Sequence, residues 1–245
     1  MKTVLITGAN RSIGFEAARQ LLQHGYYVYL GSRDAQKGQQ AADQLKAEGF
    51  SRVEPLHLDV TDSASIAAAR ATLGQKTDVL DVLINNAGIS GGMQQPALST
   101  PITTIKEVYE TNVFGVIEVT QAFIDLLRQS PEPRIVNVTS GLGSLTLHTD
   151  PTWKYYAVKG AAYAPSKAAL NAYTIMLAYE LRDTPFKVNA VDPGYTATDF
   201  NHHSGPGSVV DAAARLVKAA MLGPDGPTSQ FFSEDNAPET GVSPW

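Results

Sequence analysis

Two tyrosine–lysine pairs within residues 155–167 combine side chains that can move a proton. Tyr155 lies four residues before Lys159, and Tyr163 lies four residues before Lys167. Residues at positions i and i+4 share one face of a helix, so either pair could hold a phenol and an ammonium against one substrate. A nearby ammonium favours the phenolate and lowers the pKa of a tyrosine from its ordinary value of about 10. Either pair is therefore a candidate for general acid–base catalysis.

The local sequence favours the second pair. Lys159 is followed by Gly160, a poor helix former that would fray the turn presenting the first pair. Lys167 is followed by the apolar-striped run AALNAYTIMLAYEL, which predicts a long helix able to hold the lysine rigidly. Pro165 falls in the first turns of that helix, where its missing N–H is tolerated. We therefore expect Tyr163 and Lys167 to be the catalytic pair, and the earlier pair to belong to a loop or to the wall of the substrate cleft.

A turn rich in small residues, TGANRSIG at 7–14, could bring a dinucleotide to the same chemistry. It lies between the first predicted strand and the first predicted helix, where backbone N–H groups at the positive end of a helix can bind a pyrophosphate. The spacing of Gly8, Ser12 and Gly14 differs from the G-x-G-x-x-G fingerprint of dinucleotide sites. An ordinary strand–helix turn therefore remains the alternative for this stretch alone.

The end of the second predicted strand favours NADP(H) over NAD(H). An acidic residue at this point binds the ribose 2′-hydroxyl of NAD, whereas an arginine accommodates a 2′-phosphate. The segment YLGSRD places Ser32 and Arg33 there with no acid before them, and Arg11 can supply a second guanidinium. We expect Asp34, one position further on, to cap the next helix. The alternative is that Arg33 is a solvated surface charge.

Strands and helices that would position these residues alternate along the chain. Apolar runs predict seven strands, at 3–7, 27–30, 53–58, 79–85, 134–140, 186–191 and 229–232. Most of them lack period-two alternation, as expected when both faces of a parallel sheet are covered. Amphipathic runs predict helices at 13–25, 35–49, 63–74, 112–129, 166–183 and 209–222. The alternation predicts an α/β Rossmann-type doubly wound fold, with a single seven-stranded parallel sheet flanked by helices on both faces, as one domain over 1–245.

Composition excludes several classes of function. The 245 residues carry a net charge of −5 and contain no basic cluster, which argues against nucleic-acid or anionic-membrane partners. The chain has no cysteine and therefore no disulfide or thiolate metal ligand, and its histidines show no ligand spacing with carboxylates, so we expect no metal. The N-terminal apolar stretch is too short for a signal peptide, and we expect a cytoplasmic, soluble protein.

Seven motifs in family order make the chain resemble the short-chain dehydrogenases/reductases from residue 3 to about residue 200. The matching segments are TGANRSIG, Asp59 in LDV, the NNAG at 85–88, Asn112 in TNVFG, Ser140 in NVTSG, Tyr163 and Lys167 in YAPSK, and DPGYTATD at 192–199. Two features depart from the family pattern: Ser12 replaces the usual middle glycine, and the interval from Ser140 to Tyr163 is longer than usual. The long interval is similar to that of the carbonyl-reductase branch, whose members are often monomers, and leaves a monomer or a homo-oligomer open.

The resemblance implies a complete set of site residues. The implied catalytic residues are Asn112, Ser140, Tyr163 and Lys167. The implied cofactor-binding residues are Gly8, Asn10, Arg11, Ser12, Ile13, Gly14, Arg33, Asp59, Val60, Asn86, Ala87, Gly88, Tyr163, Lys167, Pro193, Gly194, Thr196 and Thr198. Lys167 would also bond the nicotinamide ribose, Ser140 would donate to the substrate oxygen, and Asn112 would hold a water that joins Lys167 to solvent.

The implied reaction is the NADPH-dependent reduction of a ketone or aldehyde, reversible as an alcohol dehydrogenase. The substrate pocket should lie between an insert at 141–160, residues 89–97 and a lid region at 195–225 that includes His202 and His203. Apolar side chains expected to line it favour a hydrophobic carbonyl compound; they are Leu142, Leu145, Trp153 and Tyr195. Two alternatives stay open: an NADP-binding regulator without turnover, and a family enzyme that acts on a C=C bond or as an epimerase.

Overall fold

A seven-stranded parallel sheet forms the centre of the computed structural model, which describes residues 1–92 and 94–245. Its strands are β1 Thr3–Ile6, β2 Tyr27–Ser32, β3 Val53–His57, β4 Val82–Asn85, β5 Arg134–Val138, β6 Lys187–Val191 and β7 Phe231–Phe232. The order is β3-β2-β1-β4-β5-β6-β7, and every neighbouring pair is parallel. The predicted doubly wound α/β fold is thus confirmed, with the chain reversing direction across the sheet between β1 and β4, where such folds bind ligands.

Helices cover both faces of the sheet. They are α1 Ser12–Gln23, α2 Ala35–Ala47, α3 Ser63–Gly74, α4 Ile102–Tyr109, α5 Gly115–Leu127, α6 Leu145–His148, α7 Tyr163–Glu180 and α8 Val209–Ala220. A π-helical turn, Glu110–Phe114, joins α4 to α5. The sequence did not predict α4, because Val108 is its one buried residue and the helix therefore has no apolar stripe. None of the helices in the described part of the chain is both long and apolar enough to cross a bilayer.

Two separate hydrophobic clusters fill the space between the sheet and its helices. Val4 and Ile6 of β1 point into one cluster with Leu216 of α8, and Leu5 points into the other with Phe123 of α5. Successive residues of a strand face opposite sides, so a strand buried on both sides must be apolar at every position. Each fully buried side chain of this size contributes about 1.5–3 kcal/mol to folding. The covered faces explain why the strand sequences lack alternation.

A buried polar network fixes α5 and α7 beneath the carboxyl edge of the sheet. Asn85 of β4 and Asn137 of β5 are register partners, and Asn85 Nδ2 donates to Asn137 Oδ1 at 2.9 Å. Asn85 Nδ2 also donates to Thr120 Oγ1 of α5 at 3.1 Å, and Asn137 Nδ2 donates to Thr174 Oγ1 of α7 at 2.9 Å. Buried amides and hydroxyls bonded to one another specify a single packing geometry. The network therefore sets the position of the helix that carries the tyrosine–lysine pair.

The C-terminal tail, residues 233–245, packs against the insert at 141–160. The ring of Trp245 stacks on Phe231 of β7 with 5.5 Å between centroids. The carbonyl of Trp245 accepts a hydrogen bond from the Thr146 N–H at 3.1 Å. Apart from one 3₁₀ turn and α6, the insert is irregular, as the sequence predicted. Its shape is therefore held by contacts with the tail.

Candidate active site

The motif residues meet at the carboxyl edge of the sheet. The turn 7–14 follows β1, residues 86–88 follow β4, Ser140 follows β5 and Asp192 follows β6. Parallel strands end at the same edge, so residues far apart in sequence become neighbours there. Thr7 Oγ1 joins two of these segments, since it accepts from the N–H groups of Asn86 and Ala87 at 2.9 Å and 3.0 Å.

Lys167 lies buried one turn into α7. The residue is only 4% exposed, and its Nζ donates to the carbonyl of Val138 at 2.8 Å. Nζ also lies 5.8 Å from the centroid of the Tyr163 ring, as the i, i+4 spacing predicts. Burial lowers the pKa of Lys167 from its ordinary 10.5 to about 8, and the negative charge of Asp192 opposes that fall.

Tyr163 begins α7 and is half-buried. Its ring lies 5.4 Å from that of Phe200, which covers it from the loop after β6. Burial raises the pKa of Tyr163 above its ordinary value, and the Ser140 hydroxyl is the group that lowers it. In the protein by itself, desolvation of the phenolate thus outweighs the opposing effect of the Ser140 hydroxyl on this pKa.

Ser140 lies at the end of β5 in a turn held on two sides. Its Oγ accepts from the N–H of Leu142 at 3.2 Å and thereby caps the 3₁₀ turn that follows. His148 Nε2 lies 2.9 Å from the carbonyl of Leu142, and Asn236 Nδ2 donates to the carbonyl of Gly141 at 3.2 Å. The insert and the tail thus fix the hydroxyl that faces Tyr163.

Asn112 occupies the π-helical turn and is fully buried. Its Oδ1 accepts from the N–H of Ile89 at 2.9 Å, and its Nδ2 donates to the carbonyl of Ile89 at 2.9 Å and to Ser166 Oγ at 3.1 Å. Both amide hydrogens are used, so the side chain ties the loop after β4 to α7. A π-helical turn at such a position is common in functional sites.

The two residues of the first tyrosine–lysine pair form hydrogen bonds with different partners. Tyr155 donates to Asp235 Oδ2 at 2.8 Å, whereas Lys159 Nζ donates to the carbonyl of His148 at 2.8 Å. Trp153 was expected to line the substrate pocket, but it is only 9% exposed and its Nε1 donates to Asn236 Oδ1 at 3.2 Å. These side chains anchor the insert to the tail.

Some of the residues predicted to line the pocket lie on the surface, and others lie close to the site. Leu145 is 66% exposed on α6, Leu142 is half-buried beside Ser140, and Tyr195 is 43% exposed with its ring 6.4 Å from that of Tyr155. Phe200, which sequence reasoning did not select, contributes an aromatic face directly at Tyr163. In the predicted wall at 89–97, Met93 lies outside the described residues.

Three glycines lie where neighbouring segments of the site approach closely. At Gly8, with φ +63°, a Cβ would lie 3.0 Å from the Ala87 Cα, and at Gly14 a Cβ would lie 2.5 Å from Asn86 Nδ2. A Cβ at Gly88 would lie 3.6 Å from Lys167 Nζ. Glycine at these positions lets the turn after β1 and residues 86–88 pack together at the edge of the sheet where doubly wound folds bind ligands.

Ser12 adopts a backbone conformation that glycine, the usual residue at this position, favours. Its φ is +51°, in the left-handed region, at the first residue of α1. That conformation costs a non-glycine residue about 1–2 kcal/mol, which explains why the family usually has glycine here. Beside it, Asn10 is half-buried in the turn and Ile13 packs against the hydrophobic core.

The two predicted phosphate-binding arginines both have exposed guanidinium groups on this edge. Arg11 has a side chain 65% exposed, with Nη1 3.3 Å from Asp199 Oδ2 of the loop after β6. Arg33 is exposed, and its carbonyl lies 3.1 Å from His57 Nε2. Asp34 caps α2 as expected, since its Oδ1 accepts from the Lys37 N–H at 3.0 Å. Its carboxylate is therefore engaged in capping α2.

Asp59 lies where the resemblance puts the adenine-site acid. Burial opposes its ionisation, but hydrogen bonds from the Thr61 N–H and hydroxyl, at 3.0 Å and 2.8 Å, and the charge of Arg33 outweigh burial and lower its pKa. Val60 next to it is 9% exposed. The carboxylate is thus ionised at neutral pH and is anchored by its own turn.

The loop after β6 is ordered by its own side chains. The Gly194 N–H donates to Asp192 Oδ1 at 2.9 Å, and Thr196 Oγ1 donates to the carbonyl of Pro193 at 3.3 Å. Thr198, 5% exposed, heads a 3₁₀ turn, Asp199–Asn201. Within the predicted lid region at 195–225, Val209–Ala220 form α8, whose buried side chains pack in the core.

The adjacent histidines end that turn in the left-handed region. His202 and His203 have φ values of +55° and +58°. His203 Nε2 lies 2.9 Å from Asp199 Oδ1, so Asp199 contacts both a histidine and Arg11. No group of three or more potential metal ligands occurs within residues 1–92 and 94–245.

Sequence reasoning missed Gln95, which caps the helix carrying the pair. It is 4% exposed, and its Oε1 accepts from the N–H groups of Ala162 and Tyr163 at 3.1 Å and 2.9 Å. Its Nε2 donates to the carbonyls of Ser90 and Gly92. A cap from a residue so far back in the sequence leaves no local signal.

Comparison with known proteins gives a consistent family likeness. The short chain dehydrogenase family model matches residues 2–208. (−)-Isopiperitenone reductase of Mentha piperita is 35% identical, with 95% of this chain and 96% of the relative covered. The structure of salutaridine reductase from Papaver somniferum has a TM-score of 0.84 at 30% identity, covering 95% of this chain and 100% of that one. NADPH-bound carbonyl reductase from chicken fatty liver has a TM-score of 0.83 at 27% identity, covering 100% and 99%.

Proposed function

Since the chain belongs to the short-chain dehydrogenase/reductase family and is an NAD(P)-dependent oxidoreductase, we propose that it reduces a ketone or aldehyde to an alcohol with NADPH. The observation that carries the proposal is the grouping of Tyr163, Lys167 and Ser140 at one edge of the sheet. Lys167 lies 5.8 Å from the Tyr163 ring and is fixed to Val138, while Ser140 is held in a capped turn. A proton donor, a cation and a hydroxyl donor thus converge on one cleft.

Tyr163 is the proton donor in this reaction. NADPH supplies the hydride when bound. As the carbonyl oxygen gains negative charge, the Tyr163 hydroxyl gives it a proton and the Ser140 hydroxyl donates a hydrogen bond to it. Burial raises the pKa of Tyr163, which keeps the phenol protonated before the step. The ammonium of Lys167 then stabilises the phenolate that remains.

The proposed preference for NADPH rests on two arginines. Arg33 follows β2 with no acidic residue before it, and both Arg33 and Arg11 present exposed guanidinium groups that suit a 2′-phosphate. Gly8 and Gly14 let the turn after β1 pack against residues 86–88, at the edge of the sheet where doubly wound folds bind a dinucleotide. The related carbonyl reductase from chicken fatty liver is described as NADPH-bound.

The proposed substrate is a hydrophobic carbonyl compound. Phe200 packs its ring against Tyr163, and Tyr195 presents a ring that is 43% exposed near Tyr155. Aromatic faces at the reacting phenol favour a cyclic or aromatic ketone over a sugar phosphate, since burial of apolar surface is the main favourable term for such a ligand.

A panel of carbonyl compounds tests this proposal. NADPH oxidation is followed with aldehydes, aliphatic and cyclic ketones, diketones and enones, and the products are identified by mass and NMR. We expect alcohols, with cyclic ketones among the best substrates and NADPH preferred to NADH. Absence of turnover across the panel would favour an NADP-binding regulator. Saturated ketones as the only products from enones would favour reduction of a C=C bond.

A further inference from the structure

One amide side chain of the C-terminal tail joins the turn after Ser140 to the insert at 141–160. Asn236 Nδ2 donates to the carbonyl of Gly141 at 3.2 Å. The oxygen of the same amide, Oδ1, accepts from the indole Nε1 of Trp153 at 3.2 Å. Gly141 directly follows Ser140, and Trp153 lies further along the insert. The two ends of this amide therefore hold two separate segments in place.

These two contacts require an amide at position 236. A backbone carbonyl can only accept a hydrogen bond, and an indole N–H can only donate one. The amide nitrogen of Asn236 must therefore face Gly141, and its oxygen must face Trp153. An ionised carboxylate of the same shape could still accept from Trp153, but it would place an oxygen against the Gly141 carbonyl. Aspartate would thus preserve the size of the side chain and lose one of its two bonds.

The tail holds this amide firmly before it reaches the turn. Nδ2 also donates to Ser243 Oγ at 3.3 Å, and the Asn236 N–H donates to Ser233 Oγ at 3.1 Å. Ser233 Oγ in turn donates to Asp192 Oδ2 at 2.6 Å, which connects the tail to the end of β6. A Cβ at position 141 would lie 2.9 Å from Asn236 Nδ2, so the close approach depends on Gly141.

The carbonyl that Asn236 holds belongs to the peptide unit that contacts the Ser140 hydroxyl. The Leu142 N–H donates to Ser140 Oγ at 3.2 Å. The Gly141 carbonyl and the Leu142 N–H lie in one planar peptide unit, so neither can rotate without the other. The same carbonyl also accepts from the Ser144 N–H at 3.3 Å, within the turn itself. Asn236 therefore supplies the bond that fixes this peptide unit from outside the turn.

We propose that Asn236 is a positioning residue for Ser140: it holds the peptide unit between Gly141 and Leu142, and this unit fixes the Ser140 hydroxyl. Because Ser140 Oγ accepts from the Leu142 N–H, its own hydrogen stays free to be donated to a substrate oxygen. The catalytic consequence rests on the proposed function, in which Ser140 makes that donation. The hydrogen-bonded link between the tail and the turn does not depend on it.

Amide hydrogen exchange of the full-length protein, followed by NMR, tests this link without a substrate. Asn236→Asp keeps the size and loses the donor to Gly141. Ser243→Ala is the matched control, because it removes another partner of the same amide nitrogen and leaves the Gly141 bond intact. We expect the N–H groups of Leu142 and Gly143 to exchange about 10-fold faster in Asn236→Asp and at the wild-type rate in Ser243→Ala. Wild-type exchange of both N–H groups in Asn236→Asp would overturn the proposal.

A double-mutant cycle separates positioning from general damage to the fold. With NADPH and a carbonyl substrate, we expect Asn236→Asp to lower kcat by about 10-fold and to leave the Kd for NADPH unchanged. In a Ser140→Ala protein the same substitution should lower kcat by less than about twofold, because the hydroxyl that Asn236 positions is already absent. An equal loss in both backgrounds, or an unchanged kcat in Asn236→Asp, would overturn the positioning role.

Asn236→Ala guards against a variant that does not fold. It removes the same donor without adding a charge, and it is held to the same expectations for exchange and for kcat. Absence of turnover in the wild-type protein would contradict the proposed function, whereas the exchange rates of Leu142 and Gly143 would still show whether Asn236 holds the turn. The two failures are therefore distinguishable.

Discussion

Replacing Gln95 with alanine should damage both stability and catalysis. The side chain is 4% exposed and makes four hydrogen bonds: its oxygen accepts from the N–H groups of Ala162 and Tyr163, and its nitrogen donates to the carbonyls of Ser90 and Gly92. Loss of a helix cap costs about 1 kcal/mol. Buried donors or acceptors left without partners cost about 1–3 kcal/mol more. We therefore expect the free energy of unfolding to fall by about 2–4 kcal/mol.

Catalysis should fall beyond what the loss of stability explains. The lost bonds fix the first turn of α7 against the loop after β4, so Tyr163 would move relative to Ser140. A displacement of about 1 Å at a reacting group can lower the rate by about 100-fold. We expect kcat at 20 °C, where the variant remains folded, to fall by about 10-fold to 100-fold with little change in the Kd for NADPH.

The assay combines denaturant unfolding with steady-state kinetics on purified protein. Gln94→Ala is the matched control, since Gln94 is the neighbouring glutamine and is exposed. Gln95→Glu should recover part of kcat, because a carboxylate still accepts from both helix N–H groups. A Gln95→Ala protein with wild-type stability and wild-type kcat would refute the capping role.

The cofactor turn and Lys167 give further testable expectations. Arg11→Ala and Arg33→Ala should each raise the Kd for NADPH by about 10-fold or more and change the Kd for NADH little, because a charge-assisted bond to phosphate contributes about 1.5–3 kcal/mol. Both Kd values are measured by fluorescence titration. Equal effects on the two cofactors would contradict the phosphate role. Ser12→Gly should raise the midpoint of thermal unfolding. The relief of left-handed backbone strain, about 1–2 kcal/mol, exceeds the entropic cost of glycine, about 0.5–1 kcal/mol. A lower midpoint would contradict the presence of strain at Ser12. With a folded-state pKa of about 8 for Lys167, against the ordinary 10.5, the lysine loses its charge as pH rises through 8, so the rate of NADPH-dependent reduction should fall there. By the same shift the unfolded chain binds more protons between pH 8 and pH 10.5, so this lysine should add stability as pH rises through that window, and Lys167→Met should abolish that rise.

The fold could be predicted because its signals are local and repeated. Each buried strand, such as β1 with Val4, Leu5 and Ile6, must be apolar on both faces, and each helix shows its own stripe. The choice of Tyr163 over Tyr155 also followed from neighbours in sequence: Gly160 breaks one pair and a long apolar run supports the other. The structure gives Tyr155 a different partner, Asp235.

The parts of the site that were missed depend on contacts between distant segments. Gln95 caps a helix that begins at Tyr163, and Asp192 is held by Ser233 of the tail. Neither contact has a fixed spacing that a sequence pattern could reveal. The burial of Trp153 was missed for the same reason, because its partner Asn236 lies in a tail with no motif of its own. The contacts that the tail makes with these residues exist only in the folded chain.

Tyr163→Phe tests most directly whether Tyr163 transfers the proton. The variant removes one hydroxyl and keeps the ring that packs on Phe200. With the best carbonyl substrate of the panel, we predict that kcat falls by about 100-fold to 10,000-fold while the Kd for NADPH is unchanged, and that Tyr155→Phe keeps most of its kcat. Wild-type turnover in Tyr163→Phe, or a comparable loss in Tyr155→Phe alone, would contradict the account.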